Sequence, residues 1–489
     1  METTTLSTVQ APSDALPTLV RRGRWIGLFA VLAAMIMNIL DGTVVNVAAP
    51  AIQQDLGASN AQIQWTAAIY TLALAVGVLT GGRLGDLFGR RSMLLVGTAG
   101  FVTASLLCAA AWSPEALIAA RVAQGLFGAV MIPQSFGLIR DLFPPEEIGK
   151  AFGALGPVIG FSTILGPVVA GTLVDADLFG TSWRMVFAIN LPLGLFAFVA
   201  GYRFLPRNPG TATDRRLDLV GAPLAGAGML MLLYPLVQGR DLGWPAWVFG
   251  MIAASVVVLA GFVAQQRSRT RRGLPPLVEL SVLARRSYAS GVLFVIVFFG
   301  GIVGFSLSMG LFLQLGLAQS PLKASLTMAA WAVGAFVGSA VAAMTMAKLG
   351  RRILHIGLSV MTAGLGYTYL VMQAEGFHVG AGDLALPLLT YGIGMGMIFV
   401  PLFDIIMGEV EDHEVGSASG LLESLQQLGA SLGVAALGTV FFSALDPFPT
   451  PEQFVDAIGT VNLIAIGLAV LGIAIGFLLP RQARPQPIG

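Results

Sequence analysis

The chain has 489 residues, of which 56% are hydrophobic and only 11% charged, with a formal net charge of +1. A soluble domain carries roughly 25% charged residues, so this composition excludes an ordinary soluble enzyme, and the near-zero net charge gives no general attraction to nucleic acid. A single cysteine, Cys108, excludes an internal disulfide and a multi-cysteine metal site.

Residues Met1 to Pro17 are rich in Thr and Ser and lack the basic-then-apolar order of a cleaved signal peptide, so residues 1–24 read as a disordered tail. Beyond it lie apolar runs long enough to cross a hydrocarbon core of about 30 Å at about 1.5 Å per residue. Their limits are 25–52, 60–80, 92–111, 115–139, 150–174, 184–204, 217–237, 245–265, 288–315, 322–346, 353–373, 384–406, 415–443 and 457–480, fourteen in all. With the N-terminus in the cytoplasm, 23 of the 27 Lys and Arg residues fall on the cytoplasmic side, so both termini are expected there. The loop Glu409 to Glu414 is acidic and departs from that bias.

The first run holds Asp41, inside Asn38-Ile39-Leu40-Asp41-Gly42-Thr43. An isolated charge in the bilayer costs roughly 2.5–3.5 kcal/mol or more, so a carboxylate there marks a site that binds and releases a proton, or a structural carboxylate capped by Thr43 or Asn46. Between the second and third runs, Gly81 to Arg91 forms a short, charged, glycine-rich connection. Gly82, Asp86, Gly89, Arg90 and Arg91 read as a conformational latch at the water boundary. This pattern resembles the inter-helix signature of the major facilitator superfamily.

The fourth run holds Arg121, which needs a carboxylate or carbonyl partner at such depth; Asp41 is the expected one. The fifth is rich in glycine and proline, and Gly160, Gly166, Pro167 and Gly171 read as points of flexing or of close helix contact. Lys348-Leu349-Gly350-Arg351-Arg352 echoes the end of the first motif, with Ala347 where the first has Asp86. The echo divides the chain into six-helix bundles at 25–204 and 288–480, with two extra helices and a basic linker at 205–287 and a tail at 481–489.

Several segments together are similar to the fourteen-spanner drug:proton antiporters of that superfamily: Leu40 to Pro50, Trp65 to Tyr70, Arg121 to Gly128, Ser182 to Pro192, and Gly416 to Gly429. The fifth run matches the antiporter signature with Ala170 at a frequent glycine position. The resemblance implies an all-α membrane protein of two six-helix bundles plus two inserted helices. It also implies that Asp86 meets the N-terminus of the thirteenth run in one state and that Arg90 pairs with Asp141.

Two acids stand outside the usual family pattern: Asp404 near the end of the twelfth run, and Glu423 two turns into the thirteenth. Facing the central path they would favour a lipophilic cation. Asn46, Gln124, Trp65 and Tyr70 are read with them as substrate-binding residues, and Met395, Met397 and Phe399 as an adaptable apolar wall or as helix packing. His355, His378 and His413 are isolated and no phosphate-binding loop occurs, so neither a metal nor ATP chemistry is expected. The expected protein is a monomeric, cofactor-free exporter in the bacterial inner membrane, moving a small amphipathic, cationic compound against protons. Its alternatives are an exporter of a lipid or secreted metabolite and, more remotely, a membrane-embedded enzyme or sensor.

Overall fold

Serine and threonine open several of the long helices by accepting hydrogen bonds from otherwise orphaned N–H groups, a contribution of about 1 kcal/mol each. Ser59 accepts from Gln62 N, Ser113 from Ala116 N ahead of Pro114, and Thr450 from Gln453 N ahead of Pro451. The computed structural model describes residues 18–480 apart from 145–146, most of 148–167, 175, 178–179, 208–217, 240–241, 275, 412–413 and 447. We label the helices α1 (Thr18–Leu56), α2 (Asn60–Phe88), α3 (Arg90–Ala109), α4 (Pro114–Leu142), α5 (Arg184–Ala188), α6 (Asn190–Phe204), α7 (Gly221–Gln238) and α8 (Ala246–Arg271). The rest are α9 (Arg286–Leu311), α10 (Pro321–Leu349), α11 (Arg352–Glu375), α12 (Ala381–Met407), α13 (Val415–Ser443) and α14 (Pro451–Gly476).

Among the described residues, twelve helical stretches are long and apolar enough to span a membrane, α5 and α6 acting together as one. A thirteenth stretch, Gly221–Leu236, is apolar but shorter. The fifth run expected from the sequence lies mostly outside the described residues, so the count of fourteen is not reproduced in full while the all-α membrane class is.

Helix ends differ from the apolar limits for a physical reason: hydropathy marks the hydrocarbon, whereas a helix continues into polar water as long as its backbone bonds hold. The stretch Gly81 to Phe88, read as an inter-helix hinge, is instead the last two turns of α2, and the chain breaks only at Gly89, whose φ is 89°. Small side chains keep that end helical against α4. A Cβ on Gly81 would stand 2.0 Å from Ala129 O, and one on Gly85 1.9 Å from the Gln134 side chain.

Packing follows the same device elsewhere. In α10 and α12, Gly334, Gly338, Gly392 and Gly396 face each other four residues apart, and a Cβ at any of them would fall 2.0–2.2 Å from a backbone oxygen of the partner helix. Such small-residue spacing lets membrane helices touch backbone to backbone. Helices α1 to α4 and α6 pack mutually, as do α9 to α14, while α7 and α8 pair with each other and α7 leans on α2 and α13. The two groups meet where α2 runs beside α13: Gly420 sits against Val78 and Leu79. Phe136 of α4 stacks on Phe403 of α12 at 5.2 Å, near the same end of the molecule.

Candidate functional site

Asp41 of α1 is a fully buried carboxylate of the first helical set. Arg121 Nη1 of α4 donates to its Oδ2, also forming an ion pair. Its Oδ1 accepts from Gln124 Nε2 at 2.8 Å and from Asn190 Nδ2 at 3.1 Å. Arg121 is equally buried and spends its other donors nearby: Nε on Thr66 O of α2 at 3.1 Å, Nη1 on Gln124 Oε1 at 2.8 Å and Nη2 on Asp41 O at 3.5 Å. Its guanidinium lies 4.3 Å above the Tyr70 ring and 5.8 Å from the Phe187 ring. A planar five-donor fork stacked on an aromatic face is something lysine cannot supply.

Ser105 of α3 closes the cluster, accepting from Gln124 Nε2 at 2.8 Å and from Asn190 Nδ2 at 3.2 Å while donating to Phe101 O. Five helices thus converge on one carboxylate. The side chains that hydrogen-bond to its oxygens, Arg121, Gln124 and Asn190, all do so as donors, the arrangement a carboxylate requires.

The segment Ser182 to Asn190 is what delivers Asn190. Trp183 Nε1 donates to Asp55 Oδ2 at 3.0 Å, Arg184 Nη1 to the same oxygen at 2.5 Å, and Arg184 Nη2 to Ala111 O at 3.1 Å. The opening of the sixth span is thereby pinned to the ends of α1 and α3. Hydrogen bonds from Arg184, then Trp183, hold the Asp55 carboxyl below the usual carboxylate range.

Residues read as substrate-binding fall into different places. Gln124 is fully buried and its amide is spent on Asp41, Ser105 and Arg121. Tyr70 is buried beneath Arg121, its hydroxyl bonded to the Asn38 side chain, and close enough to Glu423 to interact electrostatically with it. Trp65 lies apart from this cluster, stacked on Tyr234 of α7 at 5.5 Å. Glu423 of α13 is buried and accepts from Gln427 Nε2 at 3.2 Å. Asp404 is half-buried on α12. The Asn46 side chain lies outside the described residues, as do Gly160 and Pro167; Gly166 is buried and Gly171 half-buried, both in helical backbone. Met395 receives the Trp331 Nε1 hydrogen on its sulfur at 3.1 Å, and Phe399 packs edge-on against Phe299 at 5.4 Å.

At the other end of α2, Asp86 is buried with Arg83 Nη1 3.9 Å away. Arg90 reaches across Gly137 to Asp141, 3.1 Å from Oδ1 and 3.2 Å from Oδ2. Arg91 donates to Tyr202 O and lies over that ring. Leu79 is level with Gly420; Asp86, seven residues further along α2, is about 10 Å lower, and Val415 is about 7 Å below Gly420 at 1.5 Å per residue. Asp86 therefore stands within about 3 Å of the height of the N-terminus of α13.

Asn190, Ser105 and Thr66 were not singled out from sequence. The signal available was polar residues within apolar runs, Asn190 inside the Ser182 to Pro192 segment and Ser105 beside Thr98 and Thr103 in the third run.

The chain matches the sequence profile of the Major Facilitator Superfamily over residues 31–434. It is 49% identical to the "Probable actinorhodin transporter" of Streptomyces coelicolor over 86% of this chain and 73% of that protein. It is 34% identical to the tetracenomycin C resistance and export protein of Streptomyces glaucescens, over 88% and 78% of the two chains. With the puromycin resistance protein pur8 of Streptomyces alboniger it shares 35% identity over 93% and 89%. With helices of spanning length throughout and a profile match over most of its length, the chain belongs to the major facilitator superfamily of membrane transporters.

Proposed function

We propose that this protein exports small amphipathic, antibiotic-like compounds across the bacterial inner membrane in exchange for protons, by alternating access of two six-helix bundles, with both termini in the cytoplasm. The observation that carries the reading is the buried Asp41 carboxylate, with Arg121, Gln124 and Asn190 donating to it inside membrane-spanning helices. A purely structural ion pair is a weak source of stability, since desolvation offsets most of its attraction. A titratable pair on the path of a transporter instead couples proton binding to rearrangement. Protonation removes the charge that Arg121 faces, and the guanidinium turns toward its remaining partners Thr66 O and the Tyr70 ring.

Export of an antibiotic is favoured by the relatives, whose names record actinorhodin, tetracenomycin C and puromycin. Glu423, buried on α13 and within electrostatic reach of Tyr70, gives the path a second acidic residue in addition to Asp41 and supports a cationic cargo. At the opposite end, Asp86 near the height of the α13 N-terminus and the Arg90–Asp141 pair serve as the latch of the cytoplasm-closed state.

The test is counterflow in proteoliposomes with an imposed pH gradient and a fluorescent lipophilic cation. Gradient-driven dye movement is expected, and movement indifferent to the gradient would reject proton exchange. In that assay Glu423→Gln is expected to weaken uptake of the cation at least tenfold, about 1.4 kcal/mol, while a neutral amphiphile moves as before. Equal loss for both would place Glu423 in packing instead. Arg121→Lys keeps the charge but loses the fork, so gradient-driven flux is expected to fall at least tenfold; full activity would show that a point charge suffices.

A further inference from the structure

The inserted helices α7 and α8 have no part in the Asp41 site, and the acidic loop Glu409 to Glu414 was unexplained by the charge bias of the other loops. One segment joins them. Residues 277–287, the end of the connection after α8 and the first two residues of α9, are fastened to the inserted pair and to the C-terminal half in different ways.

The first fastening is to the inserted pair. Gln266 of α8 is fully buried, and its Oε1 accepts the backbone N–H groups of Leu277 at 2.6 Å and Val278 at 3.2 Å. Its Nε2 donates to Asp218 Oδ2 at 2.7 Å, which fixes the amide the right way round for that task. Asp218, also buried, accepts from Gly221 N at 2.8 Å at the start of α7 and from Gln265 Nε2 at 3.0 Å, with Arg269 3.4 Å away. Burial alone would push the Asp218 carboxyl up; the bonds from Gly221, Gln266 and Gln265, with the Arg269 charge, overcome this and hold it below the usual aspartate range, so the anchor is ionised at neutral pH.

Leu277 and Val278 insert into an apolar cluster with Ala225 of α7, Phe262 of α8 and Leu79 of α2, with Leu421 of α13 packed against it. Leu79 is the residue on which Gly420 rests, where α2 and α13 meet.

The second fastening is to the C-terminal half. Glu279 N donates to Ser417 Oγ of α13 at 2.9 Å, Ser281 Oγ to Glu414 Oε1 at 2.8 Å, and Ser287 Oγ to Glu409 Oε2 at 2.5 Å. Arg285 lies 2.7 Å from Glu414 and 2.9 Å from Glu411, and donates to Glu409 O. The acidic loop is thus the receptor for this segment. From Glu279 to Ser287 these bonds run to the C-terminal half; at Leu277 and Val278 the hydrogen-bonding partner belongs to the inserted pair.

We propose that residues 277–287 form a second cytoplasmic catch: Gln266, positioned by Asp218, holds the strap to the inserted helices while the cytoplasmic side is closed, and lets go of Leu277 and Val278 when α2 and α13 part. This rests on the alternating-access reading. Gln266 and Asp218 are positioning residues, acting through the strap on the gate, and the inserted pair becomes a working part of the transporter. Release breaks two peptide hydrogen bonds whose N–H groups gain water as the gap opens, so the step is reversible and small in scale.

The experiment places a reporter cysteine, Leu79→Cys in a Cys108→Ser background, and measures its alkylation by a membrane-impermeant maleimide from the cytoplasmic face of oriented vesicles. Gln266→Leu, which fills a similar volume and has no hydrogen-bond acceptor, is expected to speed alkylation about fivefold while the protein stays folded. Unchanged alkylation would overturn the proposal. Independently, a Gln266→Cys, Val278→Cys pair bridged by a reducible bifunctional reagent is expected to stop transport and to recover on reduction. Full transport with the bridge intact would also overturn it, because the catch would never need to open. If alkylation of the reporter in the otherwise unaltered protein ignores both gradient and substrate, alternating access itself fails and the catch falls with it.

Discussion

Asp41→Asn is expected to abolish gradient-driven export, a loss on the order of 100-fold or more, while the protein still folds and still binds its substrate. The substitution keeps the size of the side chain and an oxygen that can accept from Arg121, but the amide cannot take up or give away a proton. Removing one partner of a buried ion pair costs about 3–5 kcal/mol where nothing replaces it. Here the guanidinium keeps Thr66 O, Asp41 O, Gln124 Oε1 and the Tyr70 face, so the cost falls at or below the lower end. Export under a pH gradient is read in proteoliposomes beside equilibrium binding of the same compound. Full gradient-driven flux in the variant would remove Asp41 from the proton path, and loss of binding along with flux would make it a structural residue.

The membrane-spanning helices were legible because an apolar run of twenty residues has few other fates, and Asp41 and Arg121 because a charge in such a run is costly enough to need a reason. Helix ends were not, since nothing in hydropathy distinguishes a helix leaving the hydrocarbon from one that stops there; the last two turns of α2 were read as a hinge on those grounds. Neutral polar partners were the larger gap. Asn190 contributes as directly to the Asp41 carboxylate as Gln124 does, yet one asparagine in an apolar run carries no charge to betray it. Trp65 shows the converse limit. Its place in a recognisable segment suggested the substrate path, whereas its ring lies against Tyr234 of the inserted α7, a contact between segments far apart in the chain. The glycines of α10 and α12 were visible at their four-residue spacing, but only the packed structure shows which helix each one faces.

Gly433→Ala is expected to cost far more folded protein than Gly420→Ala, although both glycines lie on α13. A Cβ at Gly433 would stand 2.0 Å from Gly300 O and 2.6 Å from its Cα, both backbone atoms of α9 in the same half. No rotamer change relieves that contact, so α9 and α13 must move apart, at about 1–3 kcal/mol or more for overpacking by a single methyl. For a bundle of roughly 200 residues that lowers the thermal midpoint by roughly 2–10 °C. A Cβ at Gly420 would meet Val78 O at 3.0 Å and Leu79 Cα at 3.4 Å, across the junction with α2. That contact is tight yet yields to a shift of a few tenths of an ångström. Gly420→Ala should therefore leave the midpoint within about 2 °C and instead raise cytoplasmic accessibility at Leu79 by pressing the two halves apart. The difference suits a machine that opens along one seam: α9 and α13 touch backbone to backbone within one half, while the contact of α13 with α2 is looser. Equal destabilisation by the two alanines would show that α2 and α13 are packed for permanence and would move the opening seam elsewhere.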